Sequence, residues 1–147
     1  MAAVRTATVT WSGDLASGRG TVSTGTSELF TDLPVSWASR TEDPDGRTSP
    51  EKLLAAAHAS CFAMAFSSGL TKAGTPPEHL HIEAEVTFDK REDGWTVVSS
   101  ALTVLGRVPG CSAEAFKSAA EDAKDGCPIS RALKGNVTLS VNATLEQ

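Results

Sequence analysis

Residues 48–72 read T-S-P-E-K-L-L-A-A-A-H-A-S-C-F-A-M-A-F-S-S-G-L-T-K, and the fold turns on this stretch. Its start carries helix-initiating chemistry. Thr48 and Glu51 have the spacing of a capping box; alternatively Ser49 is the N-cap, with Pro50 in the first helical position, where its missing N–H is no loss. From Pro50 to about Lys72 the chain is dominated by Ala, Leu, Met and Phe and is nearly free of charge after Lys52. Gly74 and the Pro76-Pro77 pair end it. A helix apolar almost all round needs cover on most of its sides. One small domain is short of surface to provide that cover, so a homodimer sharing the helix is expected.

Working outward, residues on the C-terminal side are the more regular. Ile82, Ala84, Val86 and Phe88 alternate with His81, Glu83, Glu85, Thr87 and Asp89, the pattern of a half-buried strand. Asp93-Gly94 makes a turn, and a second alternating strand runs from 95 to about 105, which predicts a hairpin. After Pro109-Gly110, Ser112 is the N-cap of a helix to about 124. Gly126-Cys127-Pro128 punctuates, a short helix to Leu133 follows, and residues 137–145 alternate as a last strand. On the N-terminal side lie three short strand-like pieces, at 4–11, 20–23 and 33–38, divided by turn formers such as S-G-D-L-A-S-G-R-G. The polar D-P-D-G-R at 43–47 then leads into the long helix. This order predicts an α+β domain spanning 1–147, with mainly antiparallel sheets packed on the long central helix.

Composition narrows the function. With 40% hydrophobic and 21% charged residues, the chain is of ordinary globular type. Eighteen acidic against thirteen basic residues give a net charge of -5, and no Lys/Arg cluster outweighs that field, which argues against nucleic acid as a partner. No apolar run approaches the roughly 18 residues of a membrane span. The opening M-A-A-V-R-T-A-T-V-T lacks a basic segment followed by an apolar one. A cytoplasmic protein with no membrane partner is the resulting expectation. Three widely spaced cysteines, an odd number, do not make a disulfide framework. They are small core residues or they carry chemistry.

Cys61 falls in the middle of the long helix, where a free Cys packs well against Ala and Phe. It gains nothing there from the helix N-terminal dipole. A reactive Cys61 therefore needs a cation brought from elsewhere to stabilise its thiolate. Cys127 differs: Pro128 opens a short helix beside it, which places the sulfur near unpaired backbone N–H groups. Cys111, in a Pro-Gly-Cys-Ser turn, is assigned no role. Arg40, in S-W-A-S-R-T-E, is the foremost candidate cation, with Arg19 and Arg131 as competitors. Glu51 is either a first-turn carboxylate or the partner that holds a guanidinium in a bidentate pair and aims it at a sulfur. Ten residues separate Glu51 from Cys61, about 15 Å along a straight helix. If both serve one site, the helix breaks or Glu51 acts on Cys61 of a second subunit. Phe62, Met64 and Phe66 near Cys61 suit either an organic substrate or plain packing. A metal reading draws on His58 and Cys61 at i, i+3 and on His79 and His81 along one strand face. No C-x-x-C or H-E-x-x-H accompanies them, and His58 is expected in the core.

T-S-P-E-K-L-L-A-A-A-H-A-S-C-F-A-M-A and D-G-C-P-I-S-R-A-L-K-G-N-V-T-L resemble the OsmC/Ohr family of bacterial hydroperoxide reductases, and the early W-S-G-D-L-A-S-G-R-G-T-V-S-T brings the chain closer to the OsmC branch. The resemblance implies an intertwined homodimer of α+β subunits with two active sites at the interface. It implies that Cys61 is the peroxidatic cysteine, that Cys127 joins it in an intramolecular disulfide, and that Glu51 orients the catalytic Arg40. In the Ohr branch the arginine comes from the early strand region, where this chain has Gly20 next to Arg19. Organic hydroperoxides are the implied substrates, hydrogen peroxide a poorer one, and a dithiol such as a dihydrolipoyl group on a lipoylated protein the reductant, in a stress response without metal or cofactor. The chemistry is then oxidation of Cys61 to a sulfenic acid, condensation with Cys127, and thiol exchange. The rival readings are a small-molecule binding protein and a metal-binding protein, both with structural cysteines.

Overall fold

Alternating strands, a capped apolar helix and Gly/Pro punctuation all appear in the computed structural model, which describes residues 1–147. The backbone forms two units, 1–53 and 54–147. The first holds β1 (Ala7–Ser12), β2 (Arg19–Thr24), β3 (Leu33–Val35), α1 (Ala38–Thr41) and the first turn of α2 (Pro50–Lys72). The strands form an antiparallel sheet in the order β1-β2-β3, with Trp11 opposite Gly20 and Gly20 opposite Val35. A Cβ on Gly20 would stand 2.7 Å from the Trp11 ring and 3.1 Å from Val35, so only glycine lets the indole cross β2 here.

The third strand stops earlier than its apolar pattern suggests. Ser36 and Ser39 each accept the other's backbone N–H at 3.1 Å, and the Ser39 hydroxyl reaches the Ser36 and Thr48 carbonyls at 2.7 and 2.9 Å. That reciprocal pair turns the chain into α1, which carries Arg40. At the start of α2, Ser49 is the cap: its hydroxyl accepts the Lys52 N–H at 3.2 Å. Thr48 is not free for a capping box, because its backbone bridges Val35 and its N–H donates to Pro34. At the far end Gly74, at φ +87, makes the left-handed turn that ends the helix.

The second unit pairs β4 (His79–Arg91) with β5 (Gly94–Arg107) in an antiparallel hairpin, with a bulge at Thr87/Phe88. Two helices follow, α3 (Ala113–Gly126), capped by Ser112, and α4 (Pro128–Leu133). They return the chain so that β6 (Thr138–Leu145) runs parallel to β5. The antiparallel expectation therefore holds for all pairings but this one, which a helical crossover makes parallel. The core joins Phe62, Phe66 and Leu70 of α2 to Leu102 and Val104 of β5, Ala143 of β6, and Phe116 and Ala120 of α3. The Phe66 ring lies 5.4 Å from Phe62 and 4.9 Å from Phe116, centroid to centroid.

Residues 58, 62, 66 and 70 form the buried ridge of α2, one residue per turn. The rest of the helix is covered far less than its composition calls for; Met64 stays 71% exposed. Over one 18-residue window α2 is long and apolar enough to cross a membrane. The count of consecutive apolar residues misses this because isolated His and Ser residues interrupt the run without making it polar. Within the unit the buried ridge lies against the β-sheet and α3.

Candidate active site

Cys127 joins two helices. Its N–H closes α3 on the Ala123 carbonyl at 2.9 Å, and its extended backbone, φ -61 and ψ 133, makes it the N-cap of α4 with Pro128 next. The sulfur accepts the Ser130 N–H at 3.5 Å. Across from it stands Cys61 of α2: the two Sγ atoms are 3.1 Å apart, as free thiols. A disulfide bond is about 2.05 Å, so closure asks for a sulfur displacement of about 1 Å. Cys127 is buried, while Cys61 keeps partial access to solvent.

The two thiols ionise unequally. Burial pushes both upward. At Cys127 the Ser130 hydroxyl and amide, with help from Cys61 and the Ile129 amide, outweigh that and bring the thiol below its ordinary value. At Cys61 burial dominates, and the shared hydrogen bond with Cys127 adds to it, so its thiol lies above. In the single chain Cys127 is therefore the more acidic of the two, and they titrate together. A cation near Cys61 would reverse this order.

One turn before Cys61, His58 is 0% exposed. Its Nδ1 lies 2.6 Å from Ser100 Oγ of β5, and its Nε2 lies 2.8 Å from Ser130 Oγ of α4. Burial holds the imidazole below its ordinary pKa, in the neutral form. With both nitrogens committed to serines, His58 is no ligand for a metal shared with Cys61. His79 and His81 lie exposed on β4, and no three His, Cys, Asp or Glu side chains converge.

In the first unit, Arg40 and Glu51 form a fork. Arg40 Nε lies 3.2 and 3.3 Å from the two Glu51 carboxylate oxygens, and its Nη2 lies 2.7 Å from Oε1. The guanidinium stands 5.5 Å over the Trp37 ring. Glu51 is thus engaged as a bidentate partner rather than as a capping carboxylate. Arg40 also lines a cavity of about 380 Å³ whose other walls include Val9, Trp11, Leu15, Trp37 and Leu53. One cation, held by Glu51, faces a largely apolar space. The competing arginines, Arg19 at the start of β2 and Arg131 on α4, are exposed. Cys111 lies in the turn before α3, its thiol donating to the Ser112 carbonyl at 3.4 Å.

Two of the four sequence-derived site residues therefore meet in each unit: Cys61 with Cys127, and Arg40 with Glu51. Sequence reasoning passed over Ser100 and Ser130, the serines that hold His58. Ser130 had a signal, since it follows Cys127 at the i, i+3 spacing by which an N-cap meets the first helical turn. Ser100 had none, being one small residue in an alternating strand.

A family model described as OsmC-like protein matches residues 43–142. Over 129 residues the chain is 41% identical to Peroxiredoxin OsmC of Escherichia coli, covering 88% of this chain and 89% of that protein. It is 36% identical over 106 residues to Organic hydroperoxide resistance protein-like 1 of Staphylococcus epidermidis, covering 69% of this chain and 73% of that one. Among solved structures, the Organic Hydroperoxide Resistance Protein OhrB of Bacillus subtilis is similar in fold, with a TM-score of 0.70 at 24% identity, over 95% of this chain and 98% of that one.

Proposed function

Because the chain belongs to the OsmC family, we propose that it is a thiol-dependent peroxidase reducing organic hydroperoxides, and hydrogen peroxide less well, through Cys61 and Cys127. The observation that carries this reading is the 3.1 Å approach of the two sulfurs. The Cys61 thiolate attacks the outer peroxide oxygen, the O–O bond breaks, and the alkoxide leaves and takes up a proton to become the alcohol. Sulfur is oxidised to the sulfenic acid. The Cys127 sulfur then attacks the Cys61 sulfur, a disulfide forms, and the hydroxyl leaves as water. A dithiol restores both thiols by exchange. A dihydrolipoyl group on a lipoylated protein is the reductant this reading expects.

The thiolate of Cys61 and the developing alkoxide both need a cation, and Arg40, aimed by Glu51, is assigned that role. Glu51 and Cys61 share one unbroken helix, which sets them about 15 Å apart. The Arg40–Glu51 fork therefore serves Cys61 of a second chain in a homodimer with sites at its interface. The largely uncovered apolar surface of α2 supports such a partner. The apolar cavity beside Arg40 suits the hydrocarbon part of an organic hydroperoxide. The reading is of a single-domain cytoplasmic enzyme, with no metal or cofactor in the chemistry and no nucleic acid or membrane as partner.

The test is consumption of cumene hydroperoxide and of hydrogen peroxide with dihydrolipoamide as reductant. The proposal expects saturable turnover, faster with the organic peroxide. Consumption of neither peroxide above the enzyme-free rate would overturn it.

A further inference from the structure

On the buried ridge of α2, His58 is followed by Phe62, Phe66 and Leu70, and an apolar side chain at 58 would continue the packing. An imidazole stands there instead, with partners 42 residues away at Ser100 and 72 residues away at Ser130. A satisfied core histidine would explain two hydrogen bonds. It would not explain why one partner is the residue whose own N–H meets the Cys127 sulfur. The result is one buried polar line: Ser100 Oγ, His58, Ser130, Cys127 Sγ and Cys61 Sγ.

Resting on the peroxidase reading, we infer that His58 is a positioning residue for disulfide closure: clamped between Ser100 and Ser130, it fixes Ser130, whose backbone N–H meets the Cys127 sulfur at 3.5 Å. A neutral imidazole has one N–H and one bare nitrogen. When Nε2–H donates to Ser130 Oγ, the Ser100 hydroxyl donates to Nδ1. In the other tautomer Ser130 donates to Nε2 and Nδ1–H donates to Ser100 Oγ. Either tautomer of a neutral His58 keeps the same heavy-atom frame, with the Ser130 N–H on the Cys127 sulfur. The step served is Cys61–SOH plus Cys127–SH giving the disulfide and water. The S–O bond breaks, the S–S bond forms, and the proton lost by Cys127 leaves with the hydroxyl. The clamp acts on this second step by keeping the attacking sulfur aimed.

Rapid-quench measurement with cumene hydroperoxide separates the steps, trapping the Cys61 sulfenic acid with dimedone and scoring the disulfide by mass spectrometry. In Ser130→Ala, which removes one buried oxygen, and in His58→Gln, the ratio of closure rate to first-step rate should fall up to about tenfold, the scale of one lost buried hydrogen bond. More Cys61 should then be trapped or overoxidised to sulfinic acid, and Ser130→Thr should restore most of the ratio. Closure in Ser130→Ala at the wild-type ratio, or equal slowing of both steps, would overturn the inference and leave the clamp a packing device. If His58→Gln does not fold, the Ser130 pair decides alone. Failure of the peroxidase reading is separately visible, because the wild type would then form no sulfenic acid at all and both proposals fall.

Discussion

Cys61 and Cys127 are 66 residues apart in the chain, yet their sulfurs stand 3.1 Å from each other at the meeting of α2 and the α3–α4 corner. Each is placed by a different rule. Cys61 lies next to the buried ridge of a helix whose Phe62 and Phe66 are locked in the core, and Cys127 is fixed by capping two helices at once. Little remains to be ordered before a bond can form, which is the physical content of proximity in catalysis.

Loss of either sulfur should stop the cycle at a different point. Cys61→Ser is expected to lower peroxide consumption a thousandfold or more, on the order seen when a nucleophile is removed. Cys127→Ser should instead halt after one oxidation, with sulfenic and then sulfinic acid on Cys61 seen by mass spectrometry. Equal residual turnover in the two variants would contradict the assigned order of attack.

Arg40 and Glu51 should matter unequally. Removing the cation in Arg40→Ala is expected to cost about 10²–10³ in kcat/KM. Glu51→Gln, which leaves the guanidinium present but unaimed, should cost about 10–100-fold. Arg40→Lys should recover little, since an ammonium cannot keep the fork with both carboxylate oxygens. Steady-state rates with cumene hydroperoxide measure all three.

Much of this was legible in the sequence because strong local signals coincide with tertiary need. Ser49-Pro50 and Gly74 bound α2, and Asp93-Gly94 places the hairpin turn. Alternation found β6 but carries no information on direction, which the α3–α4 crossover decides. The four-residue α1 escaped notice since Trp37 and Ala38 read as the tail of an apolar strand, while the Ser36/Ser39 exchange that makes it a turn involves side chains too common to stand out. The site residues were legible as types, with the family resemblance supplying their pairing. The His58 clamp was not, because its partners come from β5 and α4, far along the chain.

Acid should weaken the fold through His58. Burial holds its folded pKa below the ordinary 6.5, so at or above neutrality the proton balance is the same in folded and unfolded chains. As pH falls below about 6.5, the unfolded chain binds a proton that the folded chain refuses, and stability is lost at up to about 1.4 kcal/mol per pH unit. Urea midpoints between pH 7.5 and 5 should drop more in the wild type than in His58→Gln. Identical slopes would mean that the histidine is protonated in the folded state.

An uncovered apolar α2 predicts assembly. The 15.3 kDa chain should sediment at twice its mass at micromolar concentration, and Met64→Asp, on the exposed side of the helix, should shift it toward monomer. A wild type that sediments as a monomer while turning over at full rate would rule out a site completed by a second chain.

The most direct test of the account is a thiol count after a single oxidation. Fully reduced protein receives one equivalent of cumene hydroperoxide per chain, its free thiols are titrated, and its peptides are mapped without reduction. The account predicts that two of the three thiols disappear, that Cys61 and Cys127 are found in one cross-linked peptide pair, and that Cys111 remains free. Three thiols still titratable after the peroxide is added, or a bridge that includes Cys111, would contradict it.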